Sequence, residues 1–290
     1  MYKIAILGVE NSHADTFLDF YFNKKRYPDI EVVGLYSEES DAAERLSKEF
    51  GVPVAKSYDE FVGKVDGIMI TARHGKNHYK YAKPYIATKT PMFIDKPISA
   101  DYKEAVEFAK DLYKNGVQVS GGSILMFAEY VAKLKNYVEN TNKEDVFGGF
   151  FRTPVSLVNE YGNFSFYAAH LIQAMSEVFG YFPKSVLAVG KGKTVTGIVR
   201  YDYCDVSFEF VDGNYTYYAS VSTKDGVEGA VYKLQREAYH PEMDEFVNLV
   251  RGGKMEHSFT KFIAPVAVMS AMEEALNTGK EVEIVYEEIN

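Results

Sequence analysis

Over the first 120 residues, short apolar runs alternate with stretches patterned at a helical period. Lys3–Leu7 reads as a buried strand closed by Gly8. Asn11 or Ser12 then stands where a helix N-cap belongs, ahead of a helix through Phe17 and Leu18 to about Asn23. Ile30–Leu35 predicts a second strand, Ser40–Phe50 a helix stopped by Gly51, and Val52–Val54 a short third strand. Tyr58–Gly63 predicts a short helix and Val65–Thr71 a fourth strand. His78–Thr88 follows as a helix with Pro84 at a kink or first turn. Met92–Ile94, a helix over Ala100–Asn115, and Val117–Ser120 complete the series. Parallel strands need long crossovers, and helices of this length supply them, so the pattern predicts a doubly wound parallel α/β sheet.

The second half has a different rhythm. A helix near Met126–Glu139 precedes a strand around Phe147–Arg152 and a helix from Phe166 to Phe179. Ser185–Gly190, Thr196–Tyr203, Asp205–Val211 and Tyr215–Ser222 alternate as strands, and Asp212-Gly213-Asn214 reads as a hairpin turn between the last pair. Beyond Tyr232–Gln235 the chain is helical at Pro241–Arg251 and Lys261–Asn277, then ends in a strand over Glu281–Tyr286. Strand runs flanked by helices predict an α+β domain with a mainly antiparallel sheet.

Length sharpens this division. At 290 residues the chain exceeds the roughly 250 at which one core stops growing. Residues 1–120 are expected to form one domain and 121–290 a second, meeting at Ser120-Gly121-Gly122. A net charge of −9 argues against nucleic-acid or membrane-surface partners, which require basic surface. No apolar run nears the roughly 20 residues of a membrane span. The single Cys204 cannot form an internal disulfide, which fits a cytoplasmic protein.

The turn after the first strand carries the chemistry. In a dinucleotide-binding, Rossmann-type domain that turn is Gly-x-Gly-x-x-Gly, and the following helix N-terminus faces the pyrophosphate. Here it reads Gly8-Val9-Glu10-Asn11-Ser12-His13, with only the first glycine in place. Glu10 would repel phosphate, whereas Asn11, Ser12 and a protonated His13 would attract it; a purely structural strand–helix turn is the alternative. The second strand ends Tyr36-Ser37-Glu38, with Tyr36 where an acid normally binds the adenosine ribose and no arginine for a 2′-phosphate. The choice between NAD and NADP stays open.

Later segments resemble the Gfo/Idh/MocA oxidoreductases, relatives of glucose–fructose oxidoreductase and inositol dehydrogenase. Val65–Thr71 followed by Arg73, His74 and His78 is similar to that family's fourth-strand loop on the nicotinamide side. Phe93-Ile94-Asp95-Lys96-Pro97 resembles its Glu-Lys-Pro motif with Asp95 for Glu, and Asn163–Gly180 resembles the helix bearing a substrate-side histidine, here His170. Glu273–Ile284 is similar to the final helix and strand, and the glycine turn to a Gly-x-Asp-Thr-Ser-His variant.

The resemblance implies an NAD(P)-dependent enzyme moving a hydride between nicotinamide and a sugar, polyol or related small hydroxy compound, without a metal, in a dimer or tetramer. Lys96 would stabilise the reacting oxygen and His170 would act as base, with Asp95 orienting Lys96 or the nicotinamide ribose. Gly8 to His13, Tyr36 to Glu38, Thr71, Arg73, His74, His78 and Asp95 to Pro97 would hold the cofactor. Phe166 and Gln173 stand where polyol-oxidising relatives carry Asp. That departure leaves a second reading open, a family member that binds a ligand and has lost hydride chemistry.

Overall fold

In the computed structural model, which describes residues 1–289, the first half forms a parallel sheet. Its elements are β1 (Tyr2–Leu7), α1 (Ser12–Phe22), β2 (Ile30–Tyr36), α2 (Ser40–Phe50), β3 (Gly67–Ile70), α3 (Lys76–Ile86), β4 (Met92–Asp95), α4 (Tyr102–Asn115) and β5 (Val119–Gly122). The strand order is β2-β1-β3-β4-β5, which puts the topological switch point at the carboxyl ends of β1 and β3. Val52–Val54 contributes only a single bridge, Leu35 to Val54, and Tyr58–Gly63 forms turns instead of a helix. Pro84 lies in the last turn of α3, two residues before the helix ends at Ile86.

Alternation along the central strands divides the core. Ile68, Ile70 and Ile94 face Tyr81, Tyr85 and Phe108 of α3 and α4, whereas Ile4, Ile6, Met69 and Phe93 face Phe17 and Leu18 of α1. This second face is also covered by α7 (Tyr239–Val250), through Met243, Phe246, Val247 and Val250. A helix from far along the chain thus lies on the first sheet, beside the ends of β4 and β5.

The intervening chain runs through α5 (Glu129–Glu139), β6 (Val146–Val155), α6 (Phe164–Phe179), β7 (Ser185–Lys191), β8 (Thr194–Arg200), β9 (Asp205–Asp212), β10 (Tyr217–Thr223) and β11 (Gly226–Tyr232). After α7 come α8 (Phe259–Thr278) and β12 (Val282–Glu283). The seven-stranded sheet has the order β11-β10-β6-β9-β8-β7-β12, antiparallel except where β6 and β9 run parallel. Asp212-Gly213-Asn214 therefore does not close a hairpin. β9 and β10 each pair with β6, which lies between them, and the hairpin turn is at Lys224-Asp225 between β10 and β11. Helix α6, buried along nearly its whole length, packs Leu171, Ile172 and Met175 into the core shared with Phe151, Phe208 and Val221 of this sheet.

Candidate functional site

Residues from α1, β4, α6 and α7 meet at the end of β4. Asp95, the last residue of that strand, is fully buried and accepts hydrogen bonds from Asn11 Nδ2 (2.9 Å) and the Lys96 backbone N–H (2.7 Å). His13 Nδ1 lies 2.7 Å from the same carboxylate. An ionised carboxylate only accepts, so Nδ1 carries the hydrogen and donates it. Burial alone would raise the Asp95 carboxyl; the charge and hydrogen bond of His13, with Lys96 beyond, reverse this and hold it below the ordinary range. Asp95 thereby ties the glycine turn to the Lys96 segment. His13, at the third-glycine position, is a strut between α1 and β4.

Lys96 is 4% exposed, and a cis peptide bond joins it to Pro97. Its Nζ donates to the Phe166 carbonyl at 3.1 Å and sits 4.3 Å from the centre of the Phe166 ring. The ammonium is held below its ordinary value chiefly by burial; Asp95 opposes the shift, Arg73 adds to it, and Glu242 opposes it. His170, on the next turn of α6 after Phe166, is buried with Nδ1 2.6 Å from Ser123 Oγ. Burial, then the charges of Lys96 and His13, drive His170 well below its ordinary value, so it is neutral at pH 7. Lys96 and His170, one from each half of the chain, therefore stand in a single buried cluster in which burial disfavours the charged form of both.

The cofactor-side residues gather around the ends of β1, β2 and β3. Gly8 adopts φ +82°, and a Cβ there would lie 2.4 Å from the Ala72 backbone nitrogen, so only glycine fits this turn. Thr71 Oγ1 donates to the Gly8 carbonyl at 3.0 Å, and Val9 is buried behind the turn. Glu10 uses both carboxylate oxygens locally: Ser37 Oγ donates to one (2.6 Å) and the Arg73 N–H to the other (3.0 Å). The charge that opposed phosphate binding in the sequence is thus tied to β2 and the loop after β3. Asn11 caps α1, accepting from the His13 N–H, and Ser12 begins the helix.

At the end of β2, Glu38 pairs with Lys80 (2.6 Å), and Tyr36 packs edge-on to Tyr58 and Tyr81. The Arg73 guanidinium donates to Tyr161 Oη at 3.0 Å and lies over that ring, linking the loop after β3 to the segment leading into α6. His78 is fully buried between two carbonyls, Ala72 at 2.9 Å and Ile98 at 3.3 Å. Burial lowers its pKa, so a single ring N–H is available, and the shorter geometry assigns it to Nε2 and Ala72. His74 accepts from the Lys76 N–H. His78 thus fastens the loop, and His74 stays nearer its rim.

These residues fit a dinucleotide: a glycine-only turn leads into a capped helix, hydrogen-bonding groups end β2, and a buried cation closes β4. Sequence reasoning missed Ser123, the partner of His170, and Glu242 and Tyr239 of α7. Tyr239 packs against the His13 ring at 5.3 Å. The available signal for Glu242 was phase: it is a charged residue on the face that carries Tyr239, Met243 and Phe246.

Comparison with known proteins agrees with this geometry. The model of the Gfo/Idh/MocA family, described as an oxidoreductase family with an NAD-binding Rossmann fold, matches residues 2–123. No curated protein sequence matches. Among solved structures, myo-inositol 2-dehydrogenase from Lactobacillus plantarum superposes with TM-score 0.83 at 15% identity, covering 98% of this chain and 99% of that one. Scyllo-inositol dehydrogenase from Lactobacillus casei, with bound NAD(H) and scyllo-inositol, gives 0.82 at 13% identity over 98% and 99%. An Agrobacterium radiobacter oxidoreductase in complex with NAD⁺, L-tartaric acid and magnesium gives 0.78 at 12% identity over 97% and 98%. The fold thus extends over both halves of the chain.

Proposed function

From the match of residues 2–123 to the Gfo/Idh/MocA oxidoreductase model, we propose that the protein is an NAD-dependent dehydrogenase of a small polyhydroxy or hydroxy-acid compound. The observation that carries this reading is the buried convergence of Lys96 and His170 from the two halves of the chain. When bound, the dinucleotide supplies the hydride acceptor or donor. The chain supplies the rest. Lys96 hydrogen-bonds the substrate oxygen and favours its alkoxide, while neutral His170 takes the hydroxyl proton. Phe166, Tyr167 and Tyr161 wall the substrate side and exclude water.

Gly8 to His13 would receive the pyrophosphate, Ser37 and Glu38 the adenosine ribose, and Thr71, Arg73, His74, His78 and Asp95 to Pro97 would frame the nicotinamide half. Glu10 and Glu38 near the ribose disfavour a 2′-phosphate, which supports NAD over NADP. Exposed Phe147, Val227 and Val231 on the second sheet support self-association into a dimer or tetramer, read by sedimentation. Among the described residues no helix is long and apolar enough to cross a membrane, and Cys204 is free, both compatible with the cytoplasm.

The test is calorimetric titration with NAD⁺, NADH, NADP⁺ and NADPH, followed by a polyol and hydroxy-acid screen on wild type and Lys96→Met. NAD(H) binding with turnover abolished in the variant supports the dehydrogenase. The Phe166 ring over Lys96 favours a ligand-binding protein without hydride chemistry as the second reading. Binding without turnover across the screen would select it.

A further inference from the structure

Helix α7 carries a carboxyl group with no partner. Glu242 is 1% exposed, and neither of its oxygens has a hydrogen-bond partner among the described residues. Its position follows from how α7 lies on the sheet. Phe246, one turn later, meets Phe93 of β4 at 6.4 Å between ring centres, and Tyr239, one turn earlier, meets His13 at 5.3 Å. Glu242 lies between these contacts on the same helical face. Asp95 stands two residues beyond Phe93 on the same face of β4, so Glu242 is laid over the Asp95-Lys96 end of the strand.

Ser120 pairs with Phe93 across β4 and β5, and its buried hydroxyl also lacks a partner. Ser120 lines, with Glu245 and Asn248 of α7, a small cavity of about 40 Å³. One turn along α7, Glu245 keeps solvent exposure and lines a cavity of about 460 Å³ with Gly121, Gln173, Pro241 and His257.

We propose that Glu242 is the proton-transfer residue of this site, passing protons between Lys96 and the cavity at Glu245 by way of the polar space beside Ser120. The inference rests on the dehydrogenase reading above. Oxidation of a carbinol sends hydride to the oxidised cofactor and leaves the hydroxyl proton in a closed site. That proton moves from the substrate oxygen to His170 and onward through Lys96, whose ammonium gives one of its own protons to Glu242 as it takes one up. As a neutral acid, Glu242 accepts a proton on one oxygen while releasing one from the other towards Glu245, which requires both oxygens to be unengaged. Reduction runs the same path inward.

The charged groups around Glu242 suit the task. Burial raises its carboxyl well above the ordinary range; Asp95 and Glu245 add to this and Lys96 opposes it. His13 is held in its pair with Asp95, and the Tyr239 phenol is itself raised by burial. Glu245 is pushed up to about 7 by burial, then by Glu256 and Glu177, with Lys261 opposing.

The experiment uses the full chain as wild type, Glu242→Gln, Glu242→Asp and Glu245→Gln. Infrared difference spectra of the cofactor-free protein in H₂O and D₂O are expected to contain a protonated-carboxyl band at neutral pH that Glu242→Gln removes. Its absence from wild type overturns the proposal. With cofactor, Glu242→Gln is expected to bind NAD⁺ as wild type does and lose about 100-fold in turnover. Small weak acids should restore part of it, and Glu242→Asp should retain more. Glu245→Gln, which perturbs only the cavity wall, should delay proton release measured with a pH indicator. Wild-type turnover and pH profile in both Gln variants overturn the proton path alone. Failure of wild type to bind any nicotinamide dinucleotide overturns the dehydrogenase reading and the path with it.

Discussion

Replacing Asp95 with Asn tests whether the link between the glycine turn and Lys96 holds the first domain together. The carboxylate is wholly buried and is bonded by His13, Asn11 and the Lys96 N–H. Asn retains one carbonyl oxygen for the Lys96 N–H. Its amide presents hydrogens to Asn11 Nδ2, a donor, and to His13, so the charge-assisted bond is lost and one buried donor goes unpaired. A hydrogen bond to a charged group contributes about 1.5–3 kcal/mol, and an orphaned buried donor costs about 1–3 kcal/mol. Allowing for partial relaxation, about 3 kcal/mol of stability should be lost, the low end for breaking a buried ion pair.

Urea unfolding followed by far-ultraviolet circular dichroism reads this directly. The pH dependence adds an internal control. The folded pKa of Asp95 is depressed, so its stabilisation is fully present above its unfolded pKa, about 3.9, and is lost as pH falls through the folded value. The gap between wild type and variant should hold from pH 7 down to about 4 and narrow below it. A loss under about 1 kcal/mol, or an undiminished gap in strong acid, would refute the argument.

Gly8→Ala should fold poorly and lose dinucleotide binding, because its Cβ would meet Ala72 at 2.4 Å in a left-handed backbone; calorimetry and thermal melting measure both effects. In the pH profile of kcat/KM, the acid limb should fall below 6.5, since burial and the charges of Lys96 and His13 keep His170 neutral, and His170→Asn should remove that limb. The basic limb should lie below 10.5, with burial of Lys96 as its cause, and Lys96→Arg should shift it upward. Burial pushes the Cys204 thiol up to about 12, so Ellman's reagent at pH 8 should label native protein far more slowly than urea-unfolded protein.

The order of elements in the first half was legible because each parallel strand is an apolar run bounded by a helix with its own caps, and these signals are local. The Gly8 turn was legible for the same reason, whereas the Asp95-Lys96-Pro97 segment and the helix of His170 were singled out by their resemblance to a family's motifs. The hairpin at Asp212-Gly213-Asn214 was misread because a turn signal reports only that the chain bends. Which strand pairs with which depends on β6, distant in sequence, entering between β9 and β10. The partners of Glu10, Ser37 and the Arg73 N–H, could not be read from the sequence, because they come from β2 and the loop after β3. Ser123 and Glu242 left almost no trace in the sequence, since one acts through a hydrogen bond to another element and the other through burial. The sequence by itself determined local conformation, the two sheet classes and the residue types able to bind a dinucleotide. Only the tertiary structure decided which charges are buried together, because desolvation and pairing arise from segments that meet solely in the folded chain.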